Sequence, residues 1–319
     1  MTIEELRESL LMVPKNGYTR ITAQQREEMN AYAKRYMAFQ DECKTEREVT
    51  AFGVREAEKL GFKPFKPGMD IKTGDKIYYN NRGKSLALAV IGRKSLAEGA
   101  NICAAHADSP RLDLKPNPLY EDSEIAYFKT HYYGGIKKYQ WPTIPLALHG
   151  VVCRKDGSTV TITIGEKDDD PILMITDLLI HLAADQMQKT PGKVIAGEQM
   201  NVILGTEPIE GEGSDLVKLN IMKWLNEQYG IVESDFHSAE LTLVPAGRCR
   251  EVGLDRSLIS AYGHDDMVCA YAELEAILTI DTPDKTAVCV LADKEEIGSV
   301  GISGMQSRYF ERQELYRLW

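Results

Sequence analysis

Ala287 to Ala292, AVCVLA, is an apolar, β-branched-rich run of strand length that stops at four consecutive charges, Asp293-Lys294-Glu295-Glu296. Gly298 and Gly301 then break the chain. No other stretch constrains the fold as strongly. A buried strand that delivers adjacent carboxylates at its carboxyl end is how open α/β sheets build their sites. Two neighbouring Glu side chains on extended backbone leave in different directions. One can therefore bind a metal while the other takes a proton from a metal-activated water. Taken alone, such a pair is more often a solvated turn after a core strand, so its meaning depends on the residues that accompany it.

The surrounding chain has the texture of an interrupted α/β domain. At 319 residues it exceeds the usual single domain, which predicts two domains or one with a large insertion. Thr22 with Gln25 and Thr45 with Glu48 have capping-box spacing, and each is followed by a helix-period pattern. A short amphipathic helix is predicted over 4–12. Strands are predicted at 76–79, 86–91 and 101–105. From Ser109 to about Gly247 the pattern becomes β-rich. It includes a hairpin over 146–164 with Asp156-Gly157 at its turn, a helix reached from Pro171 and ending near Lys189, a helix at 216–229 and a strand at 239–244. After Gly253 the α/β texture returns, with a helix over 268–280 leading into the opening strand. The predicted fold is α/β: a mixed central sheet with flanking helices, split into 1–108 and 248–319 by a β-rich insertion, 109–247.

Charge and cysteine usage exclude some functions. A net charge of −10 argues against nucleic acid or an anionic membrane as a partner. No apolar run approaches the ~20 residues of a membrane span, and the first residues, MTIEELRESLLMV, lack a signal-peptide layout. Six cysteines without a CxxC clip suggest a reducing, cytoplasmic setting, with Cys103, Cys269 and Cys289 read as core thiols.

Three places offer metal-type ligands, each at the end of a predicted element. His106-Ala107-Asp108 closes an extended run, where residues two apart face the same way. Asp108 can then hold one nitrogen of His106 and leave the other for a metal. Gly263-His264-Asp265-Asp266 precedes a helix, where Asp is also an ordinary cap. Glu295-Glu296 is the third. Each has a common bland reading; together they are a rarer set that could converge on a two-metal hydrolytic centre.

Five stretches, in order, carry a family resemblance. They are His106-Ala-Asp-Ser-Pro-Arg111, His131-Tyr-Tyr-Gly-Gly135, Pro171 through His181-Leu182, Gly263-His-Asp-Asp266 and Asp293-Lys-Glu-Glu-Ile-Gly-Ser-Val-Gly301. The chain resembles the aspartyl aminopeptidase and vacuolar aminopeptidase I family of zinc metallopeptidases. The resemblance implies two divalent ions, zinc first and cobalt or manganese as alternatives. His106 and Glu296 would be ligands and Asp265 a bridging ligand. Asp108 would orient His106, and Glu295 would be the general base. His181 would reach a neighbouring subunit's site. His131 is read instead as the start of a structural turn, and His149, His237 and His264 as ordinary positions. Peptide substrates and a homo-oligomer assembled through the insertion are also implied.

The resemblance further implies an Asp and a His ligand beyond the Glu pair. No Asp or His follows Asp293, and Arg312 to Trp319 does not look like the family. Each ion would have two protein ligands where catalytic zinc normally keeps three. The expectation is a shortened member, lacking the last sheet elements and poorly active by itself. Two alternatives stay open: a catalytically silent assembly or regulatory subunit, and a two-metal amidohydrolase of small acylated substrates.

Overall fold

The computed structural model describes residues 2–12 and 14–307; the closing stretch Arg312 to Trp319 lies outside them. Helix α1 (Ile3–Leu10) buries none of its residues, so the amphipathic reading of this stretch corresponds to no packing within the chain. Helices α2 (Ala23–Glu42) and α3 (Glu46–Lys59) start at Thr22 and Thr45, both with the reciprocal capping bonds expected from spacing. Strands β1 (Lys63–Pro64), β2 (Lys76–Asn81), β3 (Ser85–Val90) and β4 (Asn101–His106) follow.

The middle of the chain contributes β5 (Arg111–Asp122), β6 (Ile125–Tyr133), β7 (Leu146–Cys153), β8 (Thr159–Ile164), the one-turn α4 (Pro191–Val194), β9 (Val202–Gly205), α5 (Leu216–Tyr229) and β10 (Ala239–Pro245). A small hairpin, β11 (Arg250–Val252) and β12 (Leu258–Ser260), leads to α6 (His264–Thr279) and β13 (Ala287–Ala292). No helix among the described residues is long and apolar enough to cross a membrane.

Two sheets result. The first has the order β1-β2-β3-β13-β4, the second β8-β7-β10-β5-β6-β9. In the first, β3 (SLALAV) is buried along its whole length, as a central strand must be. Leu86, Leu88, Val90, Cys289 and Leu291 pack on Tyr36, Phe39, Val49, Met267, Tyr271 and Leu274 of α2, α3 and α6. Gly53 of α3 sits so close to β3 that a Cβ there would come within 2.6 Å of Leu86 Cδ2. The second sheet has its own core, with Leu112, Phe128, Leu148, Ile162 and Leu243 packed around Leu225 of α5 and Phe236.

One pairing decides where the chemistry can be. β13 runs parallel to β4, with Ala292 opposite His106, and the Ala107 N–H donates to the Ala292 carbonyl at 2.8 Å. Parallel neighbours end at the same edge. The residues after His106 and those after Ala292 therefore leave the sheet side by side, although 186 positions separate those two in sequence.

Two expectations need correction, the helix after Pro171 and two of the three core thiols. No α-helix forms between Pro171 and Lys189. Leu173 instead exchanges backbone hydrogen bonds with Leu146, and Met174 accepts from Ile203, so the backbone is extended and Leu173 and Ile175 point inward. His181 lies on a single 3-10 turn, Ile180–Leu182, and Leu178, Leu179, Ile180 and Leu182 around it are exposed. Cys103 and Cys269 are exposed, because β4 is an edge strand and α6 turns Cys269 away from the sheet; only Cys289 of that trio is buried.

His149, read as ordinary, joins the two layers. Its Nδ1 lies 2.7 Å from Glu48 of α3 and its Nε2 3.0 Å from Glu166 beyond β8. Burial opposes its charge, but the two carboxylates outweigh it and raise the imidazole from 6.5 to about 9. A raised folded-state value means that the stabilisation is complete below about pH 6.5 and is lost as pH rises through about 9, at most roughly 3 kcal/mol. The stability difference between wild type and His149→Gln should shrink accordingly between about pH 6 and pH 10. A difference that stays flat would show that the imidazole is neutral.

Candidate metal centre

The centre is assembled from the strand ends upward. His106 closes β4 with an almost buried ring. Its Nδ1 lies 2.8 Å from the backbone carbonyl of Asp108 and 3.6 Å from the Asp108 carboxylate. A carbonyl can only accept, so Nδ1 carries a proton and Nε2 is the nitrogen open to a metal. That nitrogen faces carboxylates: Asp265 Oδ1 is 3.4 Å away and Glu295 Oε2 3.7 Å. Ligand atoms of His106, Glu295 and Glu296 lie within 4.8 Å of one another. Asp265 touches His106 but is not part of that mutually close trio.

The sequence suggested that the Asp108 carboxylate itself would hold His106. Instead the backbone carbonyl makes the short contact, and the carboxylate has a wider task. It is completely buried and accepts from the Glu295 N–H at 3.1 Å, the Glu296 N–H at 3.2 Å and the Tyr133 hydroxyl at 2.6 Å. Burial alone would raise its pKa; His106, Tyr133 and the two amides reverse that and lower it, so Asp108 stays ionised. Burial and the same carboxylate push the Tyr133 hydroxyl strongly upward, which keeps it a donor.

The Glu pair also differs from expectation. Glu295–Ile297 forms a 3-10 turn, not extended backbone, so the two side chains enter one cluster instead of diverging. Glu296 is the less exposed of the two. Burial raises its carboxyl, the His106 ring lowers it, and Asp108, Asp265 and Glu295 add to the rise. For His106 burial favours the neutral ring, but Asp108 outweighs this and brings it to about 9. A cation on Nε2 would displace that proton.

Asp265 and Asp266 lie ahead of the regular part of α6. The side chain of Asp265 is 91% exposed, while Asp266 accepts from the His106 N–H at 3.4 Å. His264 turns away, to the Tyr36 hydroxyl at 2.7 Å and the Ile259 carbonyl at 3.1 Å, which supports its reading as an ordinary position. His181 has no described contact with these residues. Sequence reasoning passed over Tyr133, and it gave Asp266 no role of its own within the Gly263-His264-Asp265-Asp266 motif. Tyr133 lies in a matching motif, but nothing local distinguishes it from a turn residue; Asp266 had a signal, its adjacency to Asp265.

The residues suit a divalent cation. The donors are one imidazole nitrogen, Nε2 of His106, and several carboxylates, which fits zinc and the cobalt or manganese that replace it.

Known proteins share this arrangement of the chain. The family model described as aminopeptidase I zinc metalloprotease (M18) matches residues 39–315. A probable M18 family aminopeptidase 1 of Clostridium acetobutylicum is 49% identical over 307 residues, which is 95% of this chain and 66% of that protein. The chain thus spans less than two thirds of that relative's length. The crystal structure of the M18 aminopeptidase from Thermotoga maritima superposes with a TM-score of 0.90 at 43% identity, over 97% of this chain and 68% of that one. Aminopeptidase I from Borrelia burgdorferi superposes with a TM-score of 0.82 at 40% identity, over 93% and 67%. A Saccharomyces cerevisiae mApe1 dodecamer structure, 20% identical with a TM-score of 0.69 over 91% of this chain and 66% of that one, shares the fold alone. With a family model spanning most of its length and a relative at nearly half identity, this chain belongs to the aminopeptidase I zinc metalloprotease (M18) family.

Proposed function

We propose that this chain forms part of a metal-dependent aminopeptidase that releases amino-terminal residues from peptides. One observation carries the reading: His106 Nε2 and the carboxylates of Glu295 and Glu296 converge, with their ligand atoms within 4.8 Å, at loops that only the parallel pairing of β4 and β13 brings together. His106, Glu296 and a shared Asp265 would hold two divalent ions, zinc first. Such ions supply Lewis acidity, polarising a carbonyl and lowering the pKa of a water. Glu295, the more exposed of the pair, takes a proton from the attacking water and returns it to the leaving amine. Asp108 keeps the His106 tautomer and the Glu turn in place.

His181 would act in a neighbouring subunit's site, supporting the oxyanion, with the insertion 109–247, set between the metallopeptidase segments 1–108 and 248–319, mediating assembly into a homo-oligomer. The exposed Leu178, Leu179, Ile180 and Leu182 beside His181 suit a surface that another copy covers. The cysteine pattern fits work in the cytoplasm.

Metal binding is the deciding measurement. Chelator-stripped protein is expected to take up zinc, cobalt or manganese and, once loaded, to hydrolyse amino-acyl anilides only slowly, because His106, Asp265 and Glu296 would give each ion two protein ligands where catalytic zinc normally keeps three. His106→Ala should weaken zinc binding by more than ~100-fold, beyond the ~10–100-fold typical of losing an outer-shell partner. Wild-type protein that binds none of the three ions, or a His106→Ala variant that binds as well as wild type, would remove the reading.

A further inference from the structure

Tyr133 closes β6 and so belongs to the second sheet, yet its hydroxyl ends in the centre built on the first. It donates at 2.6 Å to Asp108 Oδ2. That length is typical of a hydroxyl on a charged acceptor. The same carboxylate accepts from the Glu295 and Glu296 amides and lies beside His106 Nδ1. Asp108 therefore holds the His106 ring through its backbone carbonyl and the Glu295-Glu296 turn through its carboxylate. Tyr133 anchors that carboxylate from outside the first sheet.

The ring itself is held. The Arg111 guanidinium lies 4.2 Å from its centroid, and Arg111 is in turn fixed by Glu46 and Asp113, each at 2.8 Å. Lys294, next to the Glu pair, approaches the ring at 5.7 Å. The chain then turns at Gly134, with φ +73°, where an added Cβ would lie 3.1 Å from both Cβ and Oε2 of Glu296. Only glycine gives β6 so close an approach. The Tyr133-Gly134 corner thus touches Asp108 through its hydroxyl and closes on Glu296 through its backbone.

We propose that Tyr133 is a positioning residue of the metal centre: by fixing Asp108 it sets His106 and the Glu295-Glu296 turn, and so makes metal affinity depend on the second sheet. This rests on reading His106, Asp265 and Glu296 as metal ligands. A hydrogen bond to a buried, ionised acceptor is directional, so its loss frees the Asp108 carboxylate to rotate. Phenylalanine keeps the ring, its burial and the Arg111 contact, and removes only the hydroxyl.

The test compares wild type, Tyr133→Phe, Asp108→Asn, their double variant and His106→Ala. Zinc affinity is measured by chelator competition, cobalt loading by visible absorption, folding by thermal melting, and amide exchange at Glu295 and Glu296 in the metal-free protein. Tyr133→Phe is expected to weaken zinc binding about 10–100-fold with a melting temperature close to wild type. The cobalt spectrum should change, and exchange at the two amides should quicken. The double variant should bind no more weakly than Asp108→Asn alone, because the two groups act through one contact. If Tyr133→Phe binds zinc within threefold of wild type, or leaves both amides unchanged, while His106→Ala abolishes binding, the role of Tyr133 is overturned and the metal centre stands. If wild type binds no zinc, or His106→Ala binds as tightly as wild type, the metal-centre reading falls and this inference with it.

Discussion

Glu295→Gln is expected to lower the metal-dependent hydrolysis of amino-acyl anilides about 10²–10⁴-fold, the usual contribution of general acid–base catalysis, with zinc affinity within a few-fold of wild type. Glutamine keeps the length and shape of the side chain but cannot accept a proton at neutral pH. The outcome is informative because the geometry gives Glu295 two possible roles. Its Oε2 lies 3.7 Å from His106 Nε2 and it belongs to the same close cluster as Glu296. A base may stand beside a metal without binding it, whereas a ligand cannot lose its charge without loosening the ion. If turnover and zinc affinity fall together in Glu295→Gln but affinity survives in Glu296→Gln, the two glutamates exchange roles. If neither affinity nor turnover changes, neither proposed role belongs to Glu295.

Glu46→Ala is expected to destabilise the protein by about 3–5 kcal/mol, the cost of breaking a buried ion pair from one side. Glu46 starts α3 and is almost wholly buried. It receives Arg111 Nη1 at 2.8 Å, and Lys84 Nζ lies 3.5 Å away. Burial would raise its carboxyl, but Arg111 and then Lys84 pull it down, and it remains charged. Removing it leaves two buried cations short of a counter-ion. Lys84 also approaches Glu240 at 3.2 Å and Asp293 at 3.8 Å, and Arg111 keeps Asp113, so the loss should fall nearer the lower end of that range. The pair links α3 on the first sheet to β5 in the second and supports the ring of Tyr133. Urea unfolding at neutral pH gives the number; a change below about 1 kcal/mol would mean that water already shares these charges. Because Arg111 backs Tyr133, zinc affinity should weaken in the same variant.

Much of this architecture was legible in the residues because its causes are local. Thr22 with Gln25 and Thr45 with Glu48 start helices through bonds three residues apart, and Asp156-Gly157 turns β7 into β8. The alternation of apolar runs and charges placed β3, β4 and β13, and the three motifs that offer metal-type side chains could be picked out by residue type alone. Their convergence could not. It follows from the parallel register of β13 on β4, a choice among neighbours that no short window contains. Local signals also misled where tertiary contacts outvoted them. The apolar run from Pro171 takes hydrogen bonds from Leu146 and Ile203 and becomes extended, and Glu295-Glu296 tightens into a 3-10 turn because both amides find Asp108. Tyr133 is the clearest case. A tyrosine before two glycines is a turn signal to its neighbours in sequence, and it reaches the candidate metal centre only because Asp108, 25 residues earlier, is buried beneath its hydroxyl. The helix starts and the β7-β8 turn were determined by interactions within a few residues, while the site was decided by desolvated charges seeking partners across the fold, which sequence spacing does not record.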